Sequence, residues 1–197
     1  MAHARRHRLL ALLPALALAG CVSLGGKPPA KLLRLTPAEM APAGAAAPVA
    51  AGSAVTVMVP AAPVELATVR VPVRTGRTDL AYVKGAQWGD LPARLFRDLL
   101  AETIRVRTGR ITLDTRDYHL APGPRLMGRI NQFGLDAGSM TVTMSYDATI
   151  QRGDTQLETR RFEAHAPASA ATEAGVAPAL NTVANDVATQ VADWVGR

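Results

Sequence analysis

Between Met140 and Ile150 the chain alternates without a break. Met140, Val142, Met144, Tyr146, Ala148 and Ile150 share one parity, and Thr141, Thr143, Ser145, Asp147 and Thr149 share the other. Successive side chains of a strand point to opposite faces, so this segment satisfies both sets only with one face on a core and one toward water. Such a strand belongs to an antiparallel sheet covered on one side. Arg125 to Leu135 reads as a longer strand before it, and the turn-forming runs Asp136-Ala137-Gly138 and Arg152-Gly153-Asp154 join the neighbours, so residues 125–165 form a meander. In its last strand Leu157 and Phe162 differ in parity, which predicts a bulge or register change there.

The covering layer is equally readable. Val176, Leu180, Val183, Val187, Val191 and Trp194 recur at helical spacing, predicting a helix over 172–194 with Asn181, Asn185, Asp186 and Gln190 on its polar side. A second helix is expected after Asp90 as N-cap, with Pro92 in its first turn. Its stripe is Leu91, Leu95, Phe96, Leu99, Leu100 and Ile104, Gly109 ends it, and Arg97, Arg105 and Arg107 fall on or near its solvated face. Shorter strands are expected at Val55–Val59, Val69–Val73 and Asp79–Val83, and another begins at Ile111 and Leu113. The resulting fold class is α+β: a mostly antiparallel sheet with two amphipathic helices packed on one face.

The N-terminus is an address. A basic start with Arg5, Arg6 and Arg8 precedes an apolar stretch, Leu9 to Ala19, too short to span a bilayer as a helix. It ends in Leu18-Ala19-Gly20-Cys21, which resembles the bacterial lipobox, so residues 1–20 read as a lipoprotein signal peptide and Cys21 as the lipid-attachment site. Val22, rather than Asp, follows the cysteine; by the sorting behaviour of enteric lipoproteins this implies the outer membrane, facing the periplasm. Residues 21–54 read as anchor and Ala/Pro-rich linker with a short strand at 31–35, and residues 36–54 as a mobile loop. Residues 55–197 are expected to form one domain. The three leader arginines supply half of the +6 net charge, and the remaining excess forms no basic run interleaved with aromatics, which argues against nucleic acid.

Catalytic chemistry finds no constellation. His119 and His165 are the histidines beyond the leader, and neither has a second ligand type at metal spacing. Asp114 and Asp117 straddle a Thr-Arg turn and read as turn caps. No nucleophile elbow, phosphate-cradling glycine loop or zinc-protease helix is present, so no enzyme, cofactor or metal is expected. One segment stands out: Tyr82, Lys84, Gln87 and Trp88 gather just before the first helix. Trp88 reads either as a staple over the helix start or, with Tyr82, Lys84 and Gln87, as a partner-binding surface.

Together, the lipobox, the Pro-rich leader, the Val55–Val59 strand, the Tyr82-Val83 to Trp88 to Pro92 segment opening a Leu-rich helix, the meander and the closing Ala192-Asp193-Trp194-Val195 resemble the ABC-type transport auxiliary lipoproteins. The resemblance spans residues 31–197. It implies a non-catalytic periplasmic subunit working with an ABC permease and an MCE-domain protein that move lipids or other hydrophobic molecules between membranes. The alternative is a stand-alone outer-membrane structural or assembly lipoprotein.

Overall fold

The computed structural model describes residues 31–44, 52–120, 123–153 and 155–197. The leader, Cys21 and Asp154 lie outside the described residues. Every described residue belongs to one compact unit, Lys31–Arg197. Its elements are β1 (Val55–Val57), β2 (Arg70–Arg74), β3 (Leu80–Gln87), α1 (Pro92–Thr108), β4 (Thr112–Leu113), β5 (Arg125–Asp136), β6 (Thr141–Arg152), β7 (Gln156–Pro167) and α2 (Glu173–Val195). Short 3₁₀ turns occupy Val64–Leu66 and Thr115–Leu120.

The seven strands form one sheet around β5. One edge of β5 carries β6 in antiparallel register from Arg125↔Gln151 to Asp136↔Thr141. The other edge is shared: β1 runs parallel beside Arg125 and Leu126, and β2 runs parallel beside Leu135 and Asp136. β4 extends β1 in parallel, β3 extends β2 antiparallel, and β7 extends β6 antiparallel. The class is the expected α+β one, with short parallel pairings added to the antiparallel meander.

The alternation of β6 places its apolar set where it was expected except at Met140, which lies in the turn before the strand at φ 52°. Val142, Met144, Tyr146, Ala148 and Ile150 are buried, and both helices reach this face. Phe96 of α1 meets the Tyr146 ring edge-on at 5.2 Å, and Trp194 of α2 lies 5.5 Å from Phe162, the cross-strand neighbour of Tyr146. The stripe of α2 from Val176 to Trp194 is buried throughout. Its N-cap is Thr172, whose hydroxyl accepts from Gly175 N. Gly109 closes α1 in the left-handed conformation expected of it, φ 67°.

Several expectations are corrected. β7 pairs with β6 in unbroken register, so it holds no bulge; Leu157 simply faces the uncovered side and is 66% exposed. The bulge sits in β5, where Ile130 and Gln132 oppose the consecutive Tyr146 and Ser145 and Asn131 is the extra residue. It switches the core-facing parity from Leu126 and Ile130 to Phe133 and Leu135. The N-cap position of α1 is Leu91; Asp90, one residue earlier, accepts from Leu91 N at 2.6 Å without capping the helix. The hydroxylated face of β6 is also less open than its composition implies. Thr143, opposite Gly134 on one side and His165 on the other, is 8% exposed, and its hydroxyl pairs with His165 Nδ1 at 2.9 Å.

The largest departure concerns the linker. Residues 33–41 lie along the helices as a strap. Leu33 N donates to Gln87 O, Thr36 N to Asn181 Oδ1, Ala38 N to Asn185 Oδ1 and Ala41 N to Glu102 Oε1, each at 2.7–2.8 Å. The strand expected at 31–35 is a single parallel bridge, Leu33 with Trp88. Backbone groups of a loop need partners as much as those of a strand, and here side chains on α1 and α2 supply them.

Candidate interaction site

The aromatic segment before α1 is shaped by β3. Between Arg70↔Gln87 and Pro72↔Tyr82 the register jumps, so four residues, Val83–Ala86, oppose Val71 alone. Gly85 absorbs the turn at φ 78°, a left-handed conformation that costs glycine least. The bulge sorts its side chains: Val83 and Ala86 turn into the core, while Lys84 and Gly85 are exposed. Tyr82 is half-buried beneath the Arg70 guanidinium, whose carbon lies 3.9 Å from the ring centroid. β3 pairs with β2 on one side only, so this segment is also an edge of the sheet, with Leu80 exposed on it.

Trp88 lies inside. It is 3% exposed and stacked on Phe133 at 5.3 Å, and its backbone N–H donates to Val69 O at 2.7 Å. Its ring is thus committed to the core, and of the four residues expected to meet a partner the structure leaves Tyr82, Lys84 and Gln87 at the surface. The Gln87 carbonyl is taken by Leu33, so this end of the edge is covered by the strap and the free stretch runs from Leu80 to Gly85.

The groups weighed for chemistry have structural partners. Asp114 accepts the Arg116 backbone N–H and is flanked by the Arg97 and Arg116 guanidiniums, which together hold its carboxyl below the ordinary range, the reverse of what a general acid needs. Arg97 was expected on the solvated face of α1; its side chain is 17% exposed, with Nε donating to the Val57 carbonyl at 3.2 Å and Nη2 to Asp114 at 3.1 Å. It ties α1 to β1. Arg107 ties α1 to α2 through Asp193 at 2.7 Å. For Glu102, burial raises the carboxyl pKa, but the Ala41 N–H and Arg105 outweigh it and keep the group below its usual value. His119 is exposed within the second 3₁₀ turn.

Sequence reasoning missed one constellation. On the uncovered face Glu163 Oε1, His165 Nε2, His165 Nδ1 and Thr143 Oγ1 form a chain with 2.9 Å links. The signal was legible as residues two apart on one strand facing a threonine on the next. Among the described residues no group of three metal-ligating side chains assembles.

Comparison with known proteins decides the family. The profile of the ABC-type transport auxiliary lipoprotein component matches residues 34–192. The chain belongs to this family of transport-system lipoproteins. Membership associates this auxiliary lipoprotein with an ABC-type transport system and with the bacterial envelope. No curated protein matches it. The fold recurs in a solved protein from Xanthomonas campestris, at TM-score 0.63 and 21% identity over 83% of this chain and 91% of that one. A second solved protein, described as uncharacterized, gives 0.64 and 13% over 84% and 99%. PelC from Paraburkholderia phytofirmans, solved as a dodecamer, is more distant at 0.44 and 12%, over 73% and 88%. No helix among the described residues of the auxiliary lipoprotein is long and apolar enough to cross a membrane.

Proposed function

We propose that this auxiliary lipoprotein is a non-catalytic docking module, held at the periplasmic face of the outer membrane through acyl chains on Cys21, that receives the MCE-domain protein of a system moving lipids or other hydrophobic molecules across the envelope. The observation that carries the reading is the β3 edge. A glycine-hinged bulge lifts Lys84 out of the sheet beside Tyr82, while Trp88 and Phe133 stiffen the base on which the edge stands. Half-buried tyrosine beside a cation is the composition in which interfaces concentrate binding energy, and an edge strand offers unpaired backbone groups as well. A tunnel-forming partner spanning the periplasm needs a receiver at the far membrane, and ATP hydrolysis belongs to other subunits, since this chain carries no Walker motif.

A photo-crosslinking residue in place of Lys84, introduced in cells, tests this. The expected adduct is an MCE-domain protein, absent when the same residue replaces the exposed Arg116. Equal adducts from both positions, or none from position 84, contradict the reading. For the anchor, Cys21→Ser abolishes palmitate labelling; labelling that persists contradicts it.

A further inference from the structure

Four arginines far apart in sequence meet at one end of the sheet. Arg110 precedes β4, Arg125 opens β5, Arg152 closes β6 and Arg197 follows α2, and all four line one half-open cleft of about 700 Å³. The β5–β6 register brings two of them together, since Arg125 lies opposite Gln151, next to Arg152. Among the described residues no lining side chain is acidic.

Arg110 is held in place by neutral groups. Its Nε donates to the Ser53 carbonyl at 2.9 Å and an Nη to the Val195 carbonyl at 3.5 Å, so its orientation is fixed by uncharged acceptors. Arg110 and Arg152 have no carboxylate within ion-pair distance among the described residues, in contrast to Arg97, Arg107 and Arg161. Burial, and then the charge of Arg152, push the Arg110 pKa down; these cations repel each other across the cleft, and an anion between them reverses the sign of that interaction. Bare backbone completes the wall: Gly123 packs so closely on the Ala54 carbonyl that a Cβ there would collide with it, and Gly153 holds a left-handed turn at φ 65°.

The geometry points to a binding site for a phosphate group in this arginine cleft. Guanidinium forks pair bidentately with phosphate oxygens, and the Arg110 and Arg152 guanidiniums lining one cavity suit a group with more oxygens and charge than a single carboxylate offers. Among the described residues no aromatic side chain lines the cleft, so a nucleic-acid base has nothing to stack on. A phosphate can arrive as the headgroup of an anionic lipid or as a free anion, and the same residues serve both. The site stands apart from the β3 edge, so its failure leaves the docking reading untouched.

The test is calorimetric titration of the full chain, purified in neutral detergent, with inorganic pyrophosphate and with glycerophosphoglycerol, the water-soluble headgroup of phosphatidylglycerol. Glycerophosphocholine is the zwitterionic control. Arg152→Gln with Arg197→Gln is expected to weaken binding about tenfold or more, whereas Arg77→Gln with Arg116→Gln, which removes the same charge elsewhere on the surface, leaves it within about twofold. Should the cleft double variant lose its thermal transition, Arg152→Gln alone reads the same loss. Tighter binding of glycerophosphoglycerol than of pyrophosphate assigns the site to a lipid headgroup, and the reverse order to a free anion; either supports the phosphate site. No binding of either probe at millimolar concentration, equal binding of glycerophosphocholine, or equal weakening in the control pair overturns it.

Discussion

Asn185 grips the main chain of Thr36 from 149 residues away: its Nδ2 donates to the Thr36 carbonyl at 3.0 Å, while its Oδ1 accepts from the N–H of Ala38. Asn181, one turn earlier on α2, takes the N–H of Thr36 itself. Two amides spaced four residues apart on a helix thus supply this segment with backbone hydrogen bonds of the kind a strand partner would.

Replacing both with alanine releases this strap. Each lost bond costs about 0.5–1.5 kcal/mol at a solvated site, so the thermal midpoint falls by a few degrees while the fold persists. Hydrogen exchange at the Thr36 and Ala38 amides reads the effect directly, and protection equal to that of the parent protein contradicts it.

The two faces of β6 respond differently to charge. Met144→Lys buries an unpaired ammonium under the helices and costs several kcal/mol, enough to unfold a marginal domain. Thr149→Lys, on the uncovered face where Thr149 meets the Thr159 hydroxyl, costs less than about 1 kcal/mol. Thr143, sealed against His165, is a poorer surface probe than its parity implies. Equal melting temperatures for the Met144→Lys and Thr149→Lys proteins contradict the assignment of faces.

Tyr146 places a hydroxyl in the core with no hydrogen-bond partner among the described residues, and burial drives its pKa upward. Tyr146→Phe is therefore neutral or stabilising, because it removes a desolvated polar atom and keeps the edge contact with Phe96. Tyr146→Ala costs about 3–5 kcal/mol through the cavity it opens. Thermal denaturation of the two variants checks this; a Phe variant as damaged as the Ala one contradicts it.

Asp147 and Arg161 pair across β6 and β7 with contacts at 2.6 and 2.8 Å. The Arg161 hydrogen bonds hold the Asp147 pKa down at about 2, against an ordinary 3.8. A depressed carboxyl pKa stabilises the fold above the unfolded value, and that contribution is lost as pH falls from about 4 through about 2. In an NMR titration Arg161→Gln moves the Asp147 midpoint back toward its ordinary value; an unmoved midpoint contradicts the pairing.

What the sequence made legible was whatever repeats locally. The apolar parity of 142–150 and the stripe of 176–194 each carry their structural meaning within one element, and both are buried as expected. The parity break in the meander was also written in the chain, in Leu126 and Ile130 against Phe133 and Leu135, but a break in Leu157 and Phe162 looked the same. Only pairing shows that the first is a bulge and the second an exposed leucine on an edge strand. Trp88 was ambiguous because its partner, Phe133, lies on another strand, and the strap was illegible because its order is supplied by Asn181, Asn185 and Glu102. The arginine cleft gathers residues from four elements at one end of the sheet, which no spacing reports.

The docking claim is tested most directly by co-purification from membranes in mild detergent. The Tyr82→Ala, Lys84→Ala, Gln87→Ala triple variant keeps Trp88 on Phe133 and hence a nearly unchanged thermal transition, and is predicted to retain at least about tenfold less of the MCE-domain protein than the parent chain does. Recovery of that protein at parental yield, unfolding of the variant, or failure of the parent chain to retain any MCE-domain protein would contradict the account.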